Sequence, residues 1–161
     1  MPRYHCPACK AIHYQNPRLI TGTLPVYQGQ VLLCRRNIEP RLGYWTLPGG
    51  FMENGETLKE GAARETWEEA CNAPDIEQML TIINLPAFDQ VHIFYLARMT
   101  SPEFSETPES SEVALFDIAD IPWEEIAFRT VSATLHHYVE HAGESFIPLL
   151  ETTVHPKKTA K

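Results

Sequence analysis

The sequence predicts an α+β fold, a mixed-sheet sandwich in one compact domain. Three observations carry this expectation. Strand-like and helical segments succeed one another in mixed order, neighbouring strand-like runs are joined by turn signals that read as hairpins, and no regular βαβ alternation is present. At 161 residues the chain is long enough to bury a core without disulfides and short for two full domains.

In chain order, the stretch before residue 20 is short, polar and contains Cys and His, unlike the remainder of the sequence. LITGTLPV and QVLLCRR are apolar runs joined around Gln28-Gly29 and read as a β-hairpin. GYWTLPGGF reads as a short strand ending in a tight Pro-Gly-Gly loop. Thr57 and Glu60 form the T-x-x-E pattern of a capping box and Pro74 blocks continuation, which predicts a helix over residues 57–71. IEQMLTIINL and QVHIFYLARM read as strands pairing around Pro86 to Asp89, and the loop TSPEFSETPESS leads into the strand EVALFDI. IPWEEIAF reads as a short turn and FRTVSATLHHYVEHAG as a closing helix ending at Gly143. The expected organisation is a short N-terminal segment at residues 1–18, the main domain at 19–148 and a tail at 149–161 that frays at PKKTAK.

Composition narrows the function. A net charge of −8 disfavours non-specific attraction to nucleic-acid backbone, so no nucleic-acid partner is expected. It does not exclude an anionic small molecule held by a metal and a few local arginines. No apolar run is long enough to span a bilayer and MPRYHCPACK lacks a secretory h-region, so no membrane association and a cytoplasmic location are expected. The four cysteines then read as free thiols or metal ligands, with Cys34 and Cys71 as core thiols.

The most informative stretch is GGFMENGETLKEGAARETWEEACN. Each helical residue advances by about 100°, so Glu65, Glu68 and Glu69 share about a third of the circumference, while Ala63, Thr66, Trp67 and Ala70 take the opposite, packing arc. Like charges so placed cost a few tenths of a kcal/mol per pair in water, roughly, and more where water is excluded. A divalent cation with a preference for oxygen ligands would compensate, and a carbonyl of Gly49 or Gly50 can aim at the same ion. Arg64 and Glu56 can tie the preceding loop to the helix by a charge-assisted pair.

From Gly50 this string resembles the Nudix box of hydrolases acting on nucleoside diphosphate-linked compounds, G-x5-E-x7-R-E-U-x-E-E-x-G-U with U a bulky apolar residue. Gly50, Glu56, Arg64, Glu65, Glu68 and Glu69 match; Thr66 stands at the first U, Cys71 at the second Gly and Asn72 at the last U. The resemblance implies a Nudix α/β/α sandwich with a mixed β-sheet. It implies Mg²⁺ or Mn²⁺ held by Glu65, Glu68 and Glu69 with the carbonyl of Gly49 or Gly50, and Glu56 and Arg64 as orienting groups. The implied reaction is attack of a metal-activated water on one phosphorus of a pyrophosphate. Homodimers are common in the family, so a homodimer is a further expectation.

The wider chain resembles the subfamily that joins an N-terminal zinc ribbon to a Nudix domain and hydrolyses FAD and ADP-ribose, through CPACKAIHYQNPRLITGTLPV, VLLCRRNIEPRLGYWTLPGGFMENGET and PESSEVALFDIADIPWEEIAF. That ribbon uses two C-x2-C pairs, and here only Cys6 and Cys9 are present, with His5 and His13 nearby, so residues 1–18 read as an incomplete ribbon remnant. FAD, split to FMN and AMP, is the first substrate expectation and ADP-ribose the alternative. NADH is demoted, because INLPAFDQVHIFY stands where the NADH pyrophosphatases carry S-Q-P-W-P-F-P. A non-catalytic nucleotide-sensing module is the alternative from a different class. For substrate contacts Arg35, Arg36 and Arg41 can grip phosphates, and Tyr44, Trp45 or Phe51 can stack on a base. Glu112 is preferred over Glu109 and Glu106 as a further loop carboxylate, since it stands at the loop-to-strand junction. His92, His136 and His137 read as structural or surface residues.

Overall fold

A computed structural model of the chain describes residues 3–155. The short β1 (Tyr4–His5) and β2 (Ile12–His13) form their own antiparallel ribbon. The main sheet contains β3 (Arg18–Tyr27), β4 (Gln30–Arg36), β5 (Trp45–Thr46), β6 (Gly49–Phe51), β7 (Asp75–Leu85), β8 (Gln90–Arg98), β9 (Ser110–Phe116) and β10 (Leu150–Thr153). Two helices complete it, α1 (Leu58–Ala70) and α2 (Arg129–Glu140).

The sheet is mixed. β3 runs parallel to β8, β8 antiparallel to β7, and β10 parallel to β7 at the edge. The β3–β4 hairpin forms at Gln28-Gly29, yet only Val26↔Val31 and Tyr27↔Gln30 pair. Beyond them β4 swings away to pair with β9 and β5, and β6 takes its place beside β3. That insertion demands small residues: a Cβ on Gly22 would lie 2.3 Å from the Pro48 carbonyl oxygen.

The strand period puts the helices on opposite faces. Along β8, Ile93 and Tyr95 join the core with Ala62 of α1, while Phe94 joins the core with Val131, Leu135 and Tyr138 of α2. Along β4, Val31 and Leu33 face the α2 core, and Leu32 and Cys34 pack with Ala70. Each helix is pinned to the sheet by a buried hydroxyl pair, Thr23 with Thr66 at 2.7 Å and Thr81 with Thr134 at 2.9 Å. Thr66 therefore fills an apolar position of the Nudix box because its hydroxyl has a partner on β3.

Three expectations change. Gly49 and Gly50, expected in a tight loop, open the strand β6, which pairs with β3. α2 stops at Glu140, with Gly143 at φ +88 two residues beyond its cap. Leu150–Thr153, placed in the tail, adds an edge strand to β7, while PKKTAK lies outside the described residues. Cys71 does end α1 and adopts the left-handed conformation at φ 52. Among the described residues no helix is long and apolar enough to cross a membrane.

Candidate active site

The site grows from the start of α1. Thr57 accepts from the Glu60 amide at 3.3 Å and the Glu60 carboxylate accepts from the Thr57 amide at 2.7 Å, so the capping box fixes the first turn. One turn on, Arg64 makes a bidentate pair with Glu56 at 2.9 and 3.0 Å and donates to the Phe51 carbonyl at 3.1 Å. Its remaining donor nitrogen reaches Glu65 at 2.8 Å and Glu68 at 3.1 Å. One guanidinium thereby ties β6, the loop after it and the acidic face of α1 together. The Arg64 partnership and the Glu53 amide hold the Glu56 carboxyl down at about 2.

The phase of α1 differs from the sequence expectation. Trp67, expected on the packing arc, is 59% exposed, while Glu65 and Glu69 are buried at 8% and 5%. The face against the sheet is made of Gly61, Ala62, Thr66 and Ala70, flanked by those two carboxylates. The helix lies so close to β3 and β6 that an indole would not fit. A Cβ on Gly61 would sit 2.6 Å from a Glu56 oxygen, and a Cβ on Gly50 would sit 2.5 Å from Oε2 of Glu65. Gly50 is thus the surface on which the Glu65 carboxylate rests. Glu69 accepts from the Gly49 amide at 3.3 Å. Burial first, and then the neighbouring Glu65, push the Glu69 carboxyl up to about 8. Burial also raises Glu65. Glu68 stays at the surface, bound to Arg64.

These carboxylates line one end of an open cavity of about 990 Å³. Arg36, Arg41, Phe51 and Glu109 also line it, as does an apolar wall including Ile38, Phe88 and Phe128. Arg36 lies over the Phe128 ring at 5.0 Å and donates to the Pro40 carbonyl, and Arg41 donates to the Ala127 carbonyl at 2.9 Å.

Four expected residues, Arg35, Glu112, Trp45 and Tyr44, do not reach the cavity lining. Arg35 is spent on Glu112 at 3.1 Å, Glu125 at 3.6 Å and the Gly43 carbonyl. Glu112 is correspondingly held beside Arg35 by the β4–β9 register, and of Glu106, Glu109 and Glu112 it is Glu109 that lines the cavity. Trp45 is a core residue, edge-on to Phe116 at 4.9 Å. Tyr44 carries Arg41 over its ring at 4.3 Å. His92, read as structural, is buried in the cavity wall between Thr130 and Gln90, and burial lowers its pKa to about 4, so the ring is neutral. Phe88, His92 and Phe128 carry no local sequence signal, because they converge only when β8 and α2 pack. His136 stacks on Trp123 at 4.0 Å, away from this cavity.

The N-terminal cysteines form a tight turn in which the Cys6 amide donates to Ala11 O and the Lys10 amide to Cys6 O. Amide and thiol donors of Cys9 pull the Cys6 thiol below its usual range. Neither His5 nor His13 joins both thiols in a three-ligand cluster among the described residues. Cys34 is a buried core thiol, raised by burial.

A mixed sheet between two helices thus carries an Arg-tied carboxylate cluster that opens on a ligand-sized cavity. The chain matches the NUDIX domain over residues 17–136 and belongs to that family, as a hydrolase acting on pyrophosphate bonds. It is 43% identical to a NUDIX hydrolase from Nitrosomonas europaea of known structure, with a TM-score of 0.94 over 97% of this chain and 89% of that one. It is 27% identical over 113 residues to an ADP-ribose pyrophosphatase from Methanocaldococcus jannaschii, covering 68% of this chain and 67% of that protein. A segment of 66 residues is 41% identical to the NAD-capped RNA hydrolase NudC from Chromobacterium violaceum, 40% of this chain but only 24% of that protein.

Proposed function

We propose that this Nudix hydrolase cleaves the pyrophosphate of an adenosine diphosphate-linked compound, with ADP-ribose the first candidate and FAD the second. The observation that carries the reading is the pairing of Glu65 and Glu69, two buried carboxylates side by side, with an apolar, aromatic-walled cavity large enough for a dinucleotide. ADP-ribose moves ahead of FAD because a relative that aligns over two thirds of the chain is an ADP-ribose pyrophosphatase.

The donor set fits a hard dication. It consists of oxygen atoms only, and burial and the neighbouring Glu65 disfavour the charged form of Glu69, which a bound cation would compensate. Glu65, Glu68 and Glu69, with a carbonyl of Gly49 or Gly50, would hold Mg²⁺ or Mn²⁺. When bound, such an ion acidifies water and neutralises charge on phosphoryl oxygens. Arg64 keeps Glu65 and Glu68 oriented while Glu56 orients Arg64. Arg36 and Arg41 supply positive charge along the cavity for the phosphates, and Phe51, Phe88 and Phe128 offer faces to the adenine. Glu109 is the candidate to take the proton of the attacking water, with Glu112 a remoter one behind Arg35.

The test is a product assay with ADP-ribose, FAD and NADH side by side, each with Mg²⁺, Mn²⁺ and chelator. Metal-dependent release of AMP and ribose 5-phosphate from ADP-ribose is expected to be fastest. AMP and FMN from FAD at higher kcat/KM would reverse the order of the two substrates, and tight binding without turnover of any would replace the enzyme with a nucleotide sensor.

A further inference from the structure

We propose that His137, Glu140 and His141, at the C-terminal end of α2, form a second metal site, selective for a borderline transition-metal dication of the Zn²⁺ type. One ligand atom from each of the three lies within 4.8 Å of the others, and none of the three residues lines the carboxylate cavity. The i, i+3, i+4 spacing stacks them on one face of the last turn. α2 meets the cavity through Arg129, Thr130 and Val131 at its opposite end, roughly 14 Å away along the helix at about 1.5 Å per residue.

Each imidazole has one ring nitrogen engaged by a backbone carbonyl. Nε2 of His137 lies 2.7 Å from the Pro148 carbonyl oxygen, and Nδ1 of His141 lies 2.9 Å from the His137 carbonyl oxygen. A carbonyl only accepts, so each of these nitrogens carries the proton. The tautomers are thereby fixed, and the lone pairs sit on Nδ1 of His137 and Nε2 of His141. Metal-ligating histidines show this arrangement, with one ring N–H donated to a carbonyl and the other nitrogen left for the ion. The rings are neighbours, with centroids 4.6 Å apart. The burial gradient is also suitable: His137 is buried, His141 half-buried and Glu140 exposed, so an ion can enter from solvent and keep water in the fourth position. The helix C-terminus adds its negative end to the field.

Two imidazoles and one carboxylate separate this site chemically from the all-oxygen cluster on α1. Imidazole selects Zn²⁺, Ni²⁺, Co²⁺ or Cu²⁺ over Mg²⁺. Through Pro148 the site also holds the segment that runs from buried Ile147 into β10, so occupancy would clamp the sheet edge to α2.

The experiment is calorimetric titration of Zn²⁺ into the full chain carrying Cys6→Ser and Cys9→Ser, with excess Mg²⁺ present, compared with the same protein carrying His141→Ala. One equivalent is expected to weaken by at least about tenfold in the His141→Ala protein, since loss of even an outer-shell partner costs a metal site about 10–100-fold. Glu140→Ala, exposed and safe for folding, should weaken the same equivalent. Zn²⁺ should raise the melting temperature of the parent and not of the His141→Ala protein. Absence of Zn²⁺ binding, or binding that neither variant diminishes, overturns the proposal. Loss of folding by His141→Ala would show in its melting curve, and Glu140→Ala then decides alone.

Discussion

Glu69→Gln is expected to make the metal-free protein more stable and the enzyme nearly inactive. The magnitude comes from the site. In the unfolded chain the Glu69 carboxyl ionises at its ordinary 4.5, whereas in the native protein burial beside Glu65 moves it to about 8. A raised acid means that the folded state binds more protons than the unfolded one between those values. Its burial therefore costs nothing below pH 4.5, becomes a growing penalty as pH rises through the window, and reaches the full penalty above about 8. At pH 7 the penalty spans the interval from 4.5 to 7 at about 1.4 kcal/mol per pH unit, roughly 3 kcal/mol. Glutamine carries no charge to bury and its oxygen can still accept from the Gly49 amide. Chelated parent and variant should thus differ by up to roughly 3 kcal/mol in urea unfolding at pH 7 and converge near pH 4.5. Mg²⁺ should stabilise the parent more than the variant, while kcat falls by orders of magnitude. A variant no more stable than the parent at pH 7, or a gain equal at both pH values, would refute the burial argument.

Three further outcomes are expected from the geometry. Thr66→Val should cost about 1–3 kcal/mol by stranding the Thr23 hydroxyl, while the Thr23→Val, Thr66→Val double variant should recover much of the loss in denaturant melts. Trp67→Ala, on the exposed arc, should change stability by no more than about 0.5 kcal/mol, and a loss of several kcal/mol would mean that α1 is phased the other way. Glu109→Gln should lower kcat by about 100-fold or more with KM little changed, whereas Glu112→Gln, on the Arg35 side, should lower it far less; the reverse order would remove Glu109 from the reaction.

The local geometry of α1 was legible in the sequence because it depends on spacing alone. The T-x-x-E cap, the gathering of Glu65, Glu68 and Glu69 on one arc, and the reach of Arg64 back to Glu56 all derive from about 3.6 residues per turn. The hairpins at Gln28-Gly29 and Pro86 to Asp89 were legible because turn residues between two apolar runs are also a local signal. Periodicity fixes angles between side chains but not which arc meets the sheet. That was decided by the narrow gap between α1 and the β3–β6 pair, where Gly61, Ala62 and Thr66 fit and an indole does not, so Trp67 turned outward and two carboxylates turned in. Which of Glu109 and Glu112 lines the cavity likewise depended on the register of β9 against β4, and the aromatic wall on the packing of α2 over β8. Those contacts join residues far apart in the chain, so only the tertiary structure brings them together.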